Sequence, residues 1–264
     1  MPQPSLLLVH GALTGAWVWD VWRSHLAALG WQVNVIDLRG HGRSLPIDLA
    51  AVTMEDYVAD LASVAVQIER AQGVHPVVAG WSMGGLVAMM YAAQHPETPG
   101  LVLIEPSPLL ETGGKTPIET VRRFAGEIVR PEQMGLYPDD PARSRRALFD
   151  LDEDELLDFL AKTKGAEESG LAFRQGLRGV SVPADALTCP TLVLYGDTET
   201  RPDIAVQNRA LAAHFGGEGL SVPGAGHWGI VCHAEAVEAA APDVDRWLRR
   251  SVGSPAEEES GNGA

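Results

Sequence analysis

Residues 76–93 constrain the fold more than any other stretch of the chain. Pro76, Val77, Val78 and Ala79 form a short apolar run, Gly80-Trp81-Ser82-Met83-Gly84 follows, and Gly85 to Ala93 is rich in helix-forming residues. A strand that reverses sharply into a helix leaves no room for Cβ atoms beside the serine, so glycines bracket it. The serine hydroxyl then projects from a sheet instead of packing into one. Gly-x-Ser-x-Gly alone is a common pattern; the strand before it and the helix after it make it informative.

The same strand-then-helix rhythm runs through most of the 264 residues. Apolar runs predict strands over 5–9, 32–37, 76–79, 101–105, 191–195 and 218–222. Helical spacing of apolar residues predicts helices over 17–29, 55–71, 203–215 and 233–250, the last broken or restarted near Pro242. Alternation of this kind, with short buried strands, implies an α/β fold: a mainly parallel sheet covered by helices on both faces.

Residues 106–183 break the rhythm. They hold no convincing strand. Thr116-Pro117-Ile118-Glu119 reads as a capping box with proline at the first helical position, and Asp140-Pro141 opens a second helix. Further helices are expected over 153–164 and 166–176. This stretch is expected to be a helical lid inserted between two sheet strands, leaving a core domain of residues 1–105 and 184–250. Its Leu109, Leu110, Phe124, Ile128, Met134, Leu136, Tyr137, Phe149, Phe159 and Phe173 either pack it on the core or line a pocket. Residues 251–264 are polar, acidic and glycine-rich, and are expected to be a disordered tail.

Composition narrows the partners. Thirty-five acidic residues against 20 basic ones give a net charge of −15. That disfavours nucleic acid and anionic membrane surfaces. No stretch approaches the ~20 apolar residues of a membrane span. The start lacks the basic region and cleavage site of a signal peptide. Cys189 and Cys232, the only cysteines, form no metal or redox motif and read as reduced thiols. The expectation is a cytoplasmic protein with no metal and no cofactor, a monomer or homodimer, acting on a small molecule.

Further glycine-flanked motifs stand in a telling order. His10-Gly11-Ala12 follows the first strand, Asp37-Leu38-Arg39-Gly40-His41-Gly42-Arg43-Ser44 the second, and Gly224-Ala225-Gly226-His227-Trp228 the last. Together with Gly80–Gly84 they resemble the α/β-hydrolase superfamily over residues 5–250. Residues 9–19 and 227–232 also resemble the plant methylesterase and hydroxynitrile lyase branch. By this resemblance the chain starts at the usual third strand, without the common N-terminal hairpin.

The resemblance implies a serine hydrolase. A serine hydroxyl is a poor nucleophile at neutral pH and needs a base within hydrogen-bond reach. His227 supplies one that titrates near neutrality. By resemblance, the backbone N–H groups of Ala12 and Met83 form the oxyanion hole, and Gly11, Leu13, Trp81 and Trp228 line the substrate pocket. Trp228 is equally readable as a packed core residue. His10 and His41 read as structural.

The carboxylate that orients the base has two candidates. Glu199 stands at the usual place, where the family has Asp. Glu105 ends the preceding strand, where the resemblance extends to haloalkane dehalogenases and macrolactone-cleaving lactonases, which use a glutamate there. Glu105 is slightly preferred and Asp197 is a third choice. The reaction implied is hydrolysis of a carboxylic ester or lactone of a mainly apolar, possibly ring-bearing molecule through an acyl-enzyme. The same triad also serves C–C bond hydrolases, perhydrolases and hydroxynitrile lyases. A lyase normally needs a pocket lysine, and Lys115, Lys162 and Lys164 all fall in the inserted stretch. A non-catalytic small-molecule-binding protein is the alternative from another class.

Overall fold

The computed structural model describes residues 4–112, 116–198 and 202–253. In chain order the first half runs β1 (Leu6–Val9), α1 (Asp20–Ala28), β2 (Val33–Ile36), α2 (Met54–Gln72), β3 (Val77–Trp81), α3 (Met83–Gln94) and β4 (Leu101–Ile104). The inserted stretch follows as α4 (Ile118–Arg123), β5 (Ile128–Val129), α5 (Pro141–Ser144), α6 (Glu153–Thr163), β6 (Glu168–Ser169) and α7 (Gly170–Arg178). The chain then completes the sheet with β7 (Thr191–Asp197), α8 (Pro202–His214), β8 (Glu218–Pro223), α9 (Gly229–Cys232) and α10 (Ala234–Ser251).

The main sheet has the order β2-β1-β3-β4-β7-β8, and every pairing in it is parallel. Strands β1, β3 and β4 are buried along their whole length, which explains why they read as continuous apolar runs and not as alternating ones. Successive side chains still point to opposite faces. Leu6 and Leu8 pack with Trp19, Trp22 and Trp247 on one side, while Leu7 and Val9 pack with Tyr57, Leu61 and Leu86 on the other. Helix α3 lies inside this second layer with Met83 through Ala92 all buried, so it is apolar on every side. From β1 the chain goes to β2 on one flank and to β3 on the other. The crevice at the carboxyl ends of β1 and β3 is the topological switch point of the sheet, where open α/β sheets place their ligand sites.

Several local expectations are corrected. Residues 106–183 do contain strands: β5 and β6 pair antiparallel, Ile128 with Ser169 and Val129 with Glu168. Two-residue strands are too short to show alternation. The Thr116 capping box does not form. Pro117 is itself the N-cap, at ψ 138°, so the helix begins one residue later and Thr116 lies too early to cap it. Helix α7 starts only at Gly170, where the Ser169 hydroxyl accepts the Ala172 N–H. Helix α10 runs unbroken through Pro242. Pro242 and Glu238, whose carbonyl the proline leaves without its helical donor, both lie on the exposed side of the helix. Residues 254–264 of the expected tail lie outside the described residues. Among the described residues no helix is long and apolar enough to cross a membrane.

Candidate active site

Ser82 sits between the last residue of β3 and the first of α3 with φ 56° and ψ −122°. Both bracketing glycines are sterically required. A Cβ on Gly80 would strike the carbonyl of Gly84, and a Cβ on Gly84 would strike the carbonyls of Val9 and His10. Backbone bonds hold the turn: Ser82 N–H donates to Ile104 O at 3.1 Å, and Ser82 O accepts from Ser107 N–H at 2.8 Å. Among the described residues three non-glycines have positive φ: Leu13 at 62°, Ser82 at 56° and Glu105 at 38°. They follow β1, β3 and β4, so all three gather at the switch-point edge. Each such conformation costs on the order of 1–3 kcal/mol and persists where the surroundings over-determine it.

His227, in the loop after β8, faces Ser82. Its Nε2 lies 3.1 Å from Ser82 Oγ, and its Nδ1 lies 2.8 Å from Glu105 Oε2. A carboxylate only accepts, so Nδ1 carries the proton and Nε2 is the acceptor for the serine hydroxyl. Glu105 is buried, and its second oxygen accepts the Gly196 N–H at 2.7 Å. Gly196 is confined by the same contact: a Cβ there would meet the Ala225 carbonyl and the Glu105 carboxylate. Of the other candidate acids, Glu199 lies outside the described residues. Asp197 is exposed and accepts from Ser221 Oγ at 3.4 Å.

Ala12 and Met83 line one small cavity together with Ser82 and His227, and neither N–H has an acceptor among the described residues. The loop bearing Ala12 is braced by His10. Its Nδ1 lies 2.8 Å from Gly11 O and its Nε2 3.1 Å from Leu38 N–H. One nitrogen must donate and the other accept, so the ring is neutral. Complete burial and the nearby His41 push its pKa down to about 4, consistent with that state.

The pocket residues expected from sequence are only partly together. The cavity beside Ser82 has a volume of about 160 Å³, and its wall includes Trp228, Met134 and Phe173. A larger cavity of about 800 Å³ opens on the Glu105 side of His227, with Met134 and Trp228 again in its wall and Arg146, Phe149 and Ile204 beyond. Gly11, Leu13 and Trp81 line neither cavity. Leu13 packs with Phe124 and Val129. Gly11 lies against Trp81 and Ser82, where a Cβ would collide with both. Trp81 is fully buried, its ring 5.1 Å from that of His227, and its Nε1–H donates to His227 O at 3.0 Å. It holds the His227 backbone in place.

One buried charged group escaped the sequence reading. Glu168 on β6 is completely buried, 3.1 Å from His41 Nε2 and 2.5 Å from Tyr57 Oη. Nothing in a two-residue strand marks that acid among its many acidic neighbours. Among the described residues no cluster of three or more His, Cys, Asp or Glu is arranged to hold a metal ion.

The chain is similar to several known proteins. The family described as serine aminopeptidase, S33, matches residues 1–222. A pimeloyl-[acyl-carrier protein] methyl ester esterase of Xanthomonas axonopodis pv. citri is 28% identical over 257 residues, covering 90% of this chain and 93% of that protein. The solved structure of a thermophilic esterase from Thermogutta terrifontis is 26% identical, with a TM-score of 0.74 over 95% of this chain and 91% of that one. Polyneuridine aldehyde esterase shares the fold at 18% identity, with a TM-score of 0.68 over 92% of this chain and 99% of that one.

Proposed function

From the premise that this chain belongs to the serine aminopeptidase S33 family of the α/β-hydrolase superfamily and is an ester-bond hydrolase, we propose that Ser82, His227 and Glu105 form its catalytic triad. Ser82 Oγ attacks the carbonyl carbon of a carboxylic ester or lactone as His227 Nε2 takes its proton. Glu105 holds the imidazole in the required tautomer and stabilises the imidazolium. The Ala12 and Met83 N–H groups donate to the oxyanion, the latter at the N-terminus of α3. His227 returns its proton to the departing alkoxide, leaving an acyl group on Ser82. Water, deprotonated by the same nitrogen, then releases the acid.

The observation that carries this reading is the hydrogen-bonded line from Ser82 Oγ through His227 to Glu105, with the serine held in a conformation that costs energy. Mostly apolar walls on both cavities support a mainly apolar substrate, with room for a ring. A lyase reading has less support. Lys162 pairs with Asp158, Lys164 pairs with Asp139, and neither lines these cavities; Lys115 lies outside the described residues.

Turnover of p-nitrophenyl butyrate and of a panel of lactones, by wild type and Ser82→Ala, tests the proposal. Activity abolished by the substitution, with a fluorophosphonate adduct mapped to Ser82 by mass spectrometry, supports it. Activity that survives Ser82→Ala, or a folded wild type that neither turns over esters nor takes the label, overturns it.

A further inference from the structure

Asp150 lies between α5 and α6 in the inserted stretch, 77 positions before His227 in the sequence. Its Oδ2 nonetheless accepts the Gly226 N–H at 2.8 Å and the Gly229 N–H at 2.6 Å. These two residues flank His227-Trp228 on either side. Both glycines are closed against the carboxylate, which a Cβ at either position would strike. Trp228, the N-cap of α9, makes no side-chain cap of its own. Asp150 therefore supplies from another part of the chain an acceptor for the first N–H of α9, one of those that a helix start leaves without an intrahelical partner. Its Oδ1 is buried without a hydrogen-bond partner among the described residues. Burial of the carboxyl raises its pKa above the ordinary aspartate value, against the pull of both N–H groups and of His227.

Asp150 is itself well held. Leu148 and Leu151 on either side are buried in the same core cluster as Ile230 and Trp228. Arg145 donates to the Leu151 carbonyl and pairs with Glu153. Other ionisable groups around the base loop include Glu105 on the His227 ring, Arg146 in the cavity wall, the Glu155–His233 pair at 2.7 Å one turn on, and the half-buried thiol of Cys232.

We propose that Asp150 is a positioning residue for the base: by holding the N–H groups of Gly226 and Gly229, it sets the backbone from which His227 reaches both Ser82 and Glu105. This rests on the triad reading above. Glu105 fixes one end of the imidazole ring, and Trp81 fixes the His227 carbonyl. Neither fixes the N–H side of the loop, and Asp150 does. A displacement of about 1 Å at a reacting group costs on the order of 100-fold in rate, so a two-bond anchor beside the base bears on kcat without touching substrate.

The test compares Asp150→Ala and Asp150→Asn with wild type, reading kcat, KM, melting temperature and the strongly deshielded proton NMR resonance of the His227 Nδ1–H···Glu105 bond. Asn keeps an oxygen for both N–H groups; Ala keeps none. Asp150→Ala is expected to lower kcat about 10–100-fold with KM within about threefold, and to broaden the resonance; Asp150→Asn is expected to recover most of the kcat and the sharp resonance. Should the alanine variant fail to fold, the asparagine variant still decides. A folded Asp150→Asn with more than ~100-fold loss of kcat and no recovered resonance overturns the proposal. So does an alanine variant with a lower melting temperature but wild-type kcat and resonance. The resonance needs no turnover, so it reports on positioning even if Ser82→Ala shows that the serine reading is wrong.

Discussion

The rings of His10 and His41 lie 5.1 Å apart, and their hydrogen bonds leave one neutral and the other charged. His10 donates from one nitrogen and accepts at the other, so it is neutral. His41 Nδ1 faces the Arg39 carbonyl at 2.9 Å and its Nε2 faces the Glu168 carboxylate at 3.1 Å. Both partners only accept, so both nitrogens donate and the ring is an imidazolium. A buried cation thus sits beside the histidine that braces the Gly11–Ala12 loop, and the inserted stretch supplies its counter-ion.

This pair makes stability depend on pH. Burial opposes the charge on His41, but the charge and hydrogen bond of Glu168 outweigh it and raise the histidine pKa. Burial likewise opposes the charge on Glu168, but His41, Tyr57 and the Ser169 N–H outweigh it and lower the glutamate pKa. The His41 contribution is complete below about pH 6.5, its unfolded value, and is lost as pH rises through its higher folded value. The Glu168 contribution is complete above its unfolded value near 4.3 and is lost only as pH falls through its lower folded value. Glu168→Gln should therefore lower stability by about 3–5 kcal/mol at pH 6, and by less at pH 9. Urea unfolding at both pH values checks this; an equal loss at both would remove the imidazolium assignment.

Glu105→Gln should reduce kcat by about 10³–10⁴-fold, because the amide can present the wrong partner to Nδ1–H. Glu199→Gln should stay near wild type on the same p-nitrophenyl ester. The reverse pattern in steady-state kinetics would move the orienting acid to Glu199.

Trp81→Phe should act on the base and not on substrate selection. It keeps a ring in a fully buried slot but removes the donor to the His227 carbonyl. The expected cost is about 1–3 kcal/mol of stability, with the ratio of kcat/KM values for short and long esters unchanged. A changed chain-length ratio would return Trp81 to the substrate pocket.

Gly84→Ala places a methyl group against the backbone carbonyls of Val9 and His10, which cannot swing away as a side-chain end would. Overpacking of this kind costs about 1–3 kcal/mol or more. A melting temperature equal to wild type would show that β1 yields more readily than the geometry implies.

Part of the fold and of the candidate site is legible in the sequence. Ser82 and His227 announce themselves because close backbone approach demands glycine, and glycine at fixed spacing is visible in a sequence. The sheet strands were legible because burial on both faces removes alternation and leaves bare apolar runs. Trp81 reads as a pocket residue in sequence, but adjacency to the serine says nothing about direction: one residue along a strand points to the other side. Asp150 and Glu168 could not be picked out, because they stand among exposed acids of the same type. What distinguishes them is a hydrogen bond to residues 76 and 127 positions away, which no local pattern encodes. The ribbon β5–β6 and the continuous α10 were missed for a related reason, since pairing and solvent access are settled by the rest of the fold.

The inserted stretch sends two carboxylates into loops of the sheet, Asp150 onto the N–H groups either side of His227-Trp228 and Glu168 onto His41. Exchanging this stretch for that of another protein therefore carries a structural condition. A donor of equal length that lacked the two acids would leave the His41 imidazolium without a counter-ion and two N–H groups without an acceptor. Recombination between relatives is then restricted to donors that bring both acids at the right depth, or to point changes on the cavity wall. Chimaeras that ignore the two acids should fail in the scaffold before they fail in recognition.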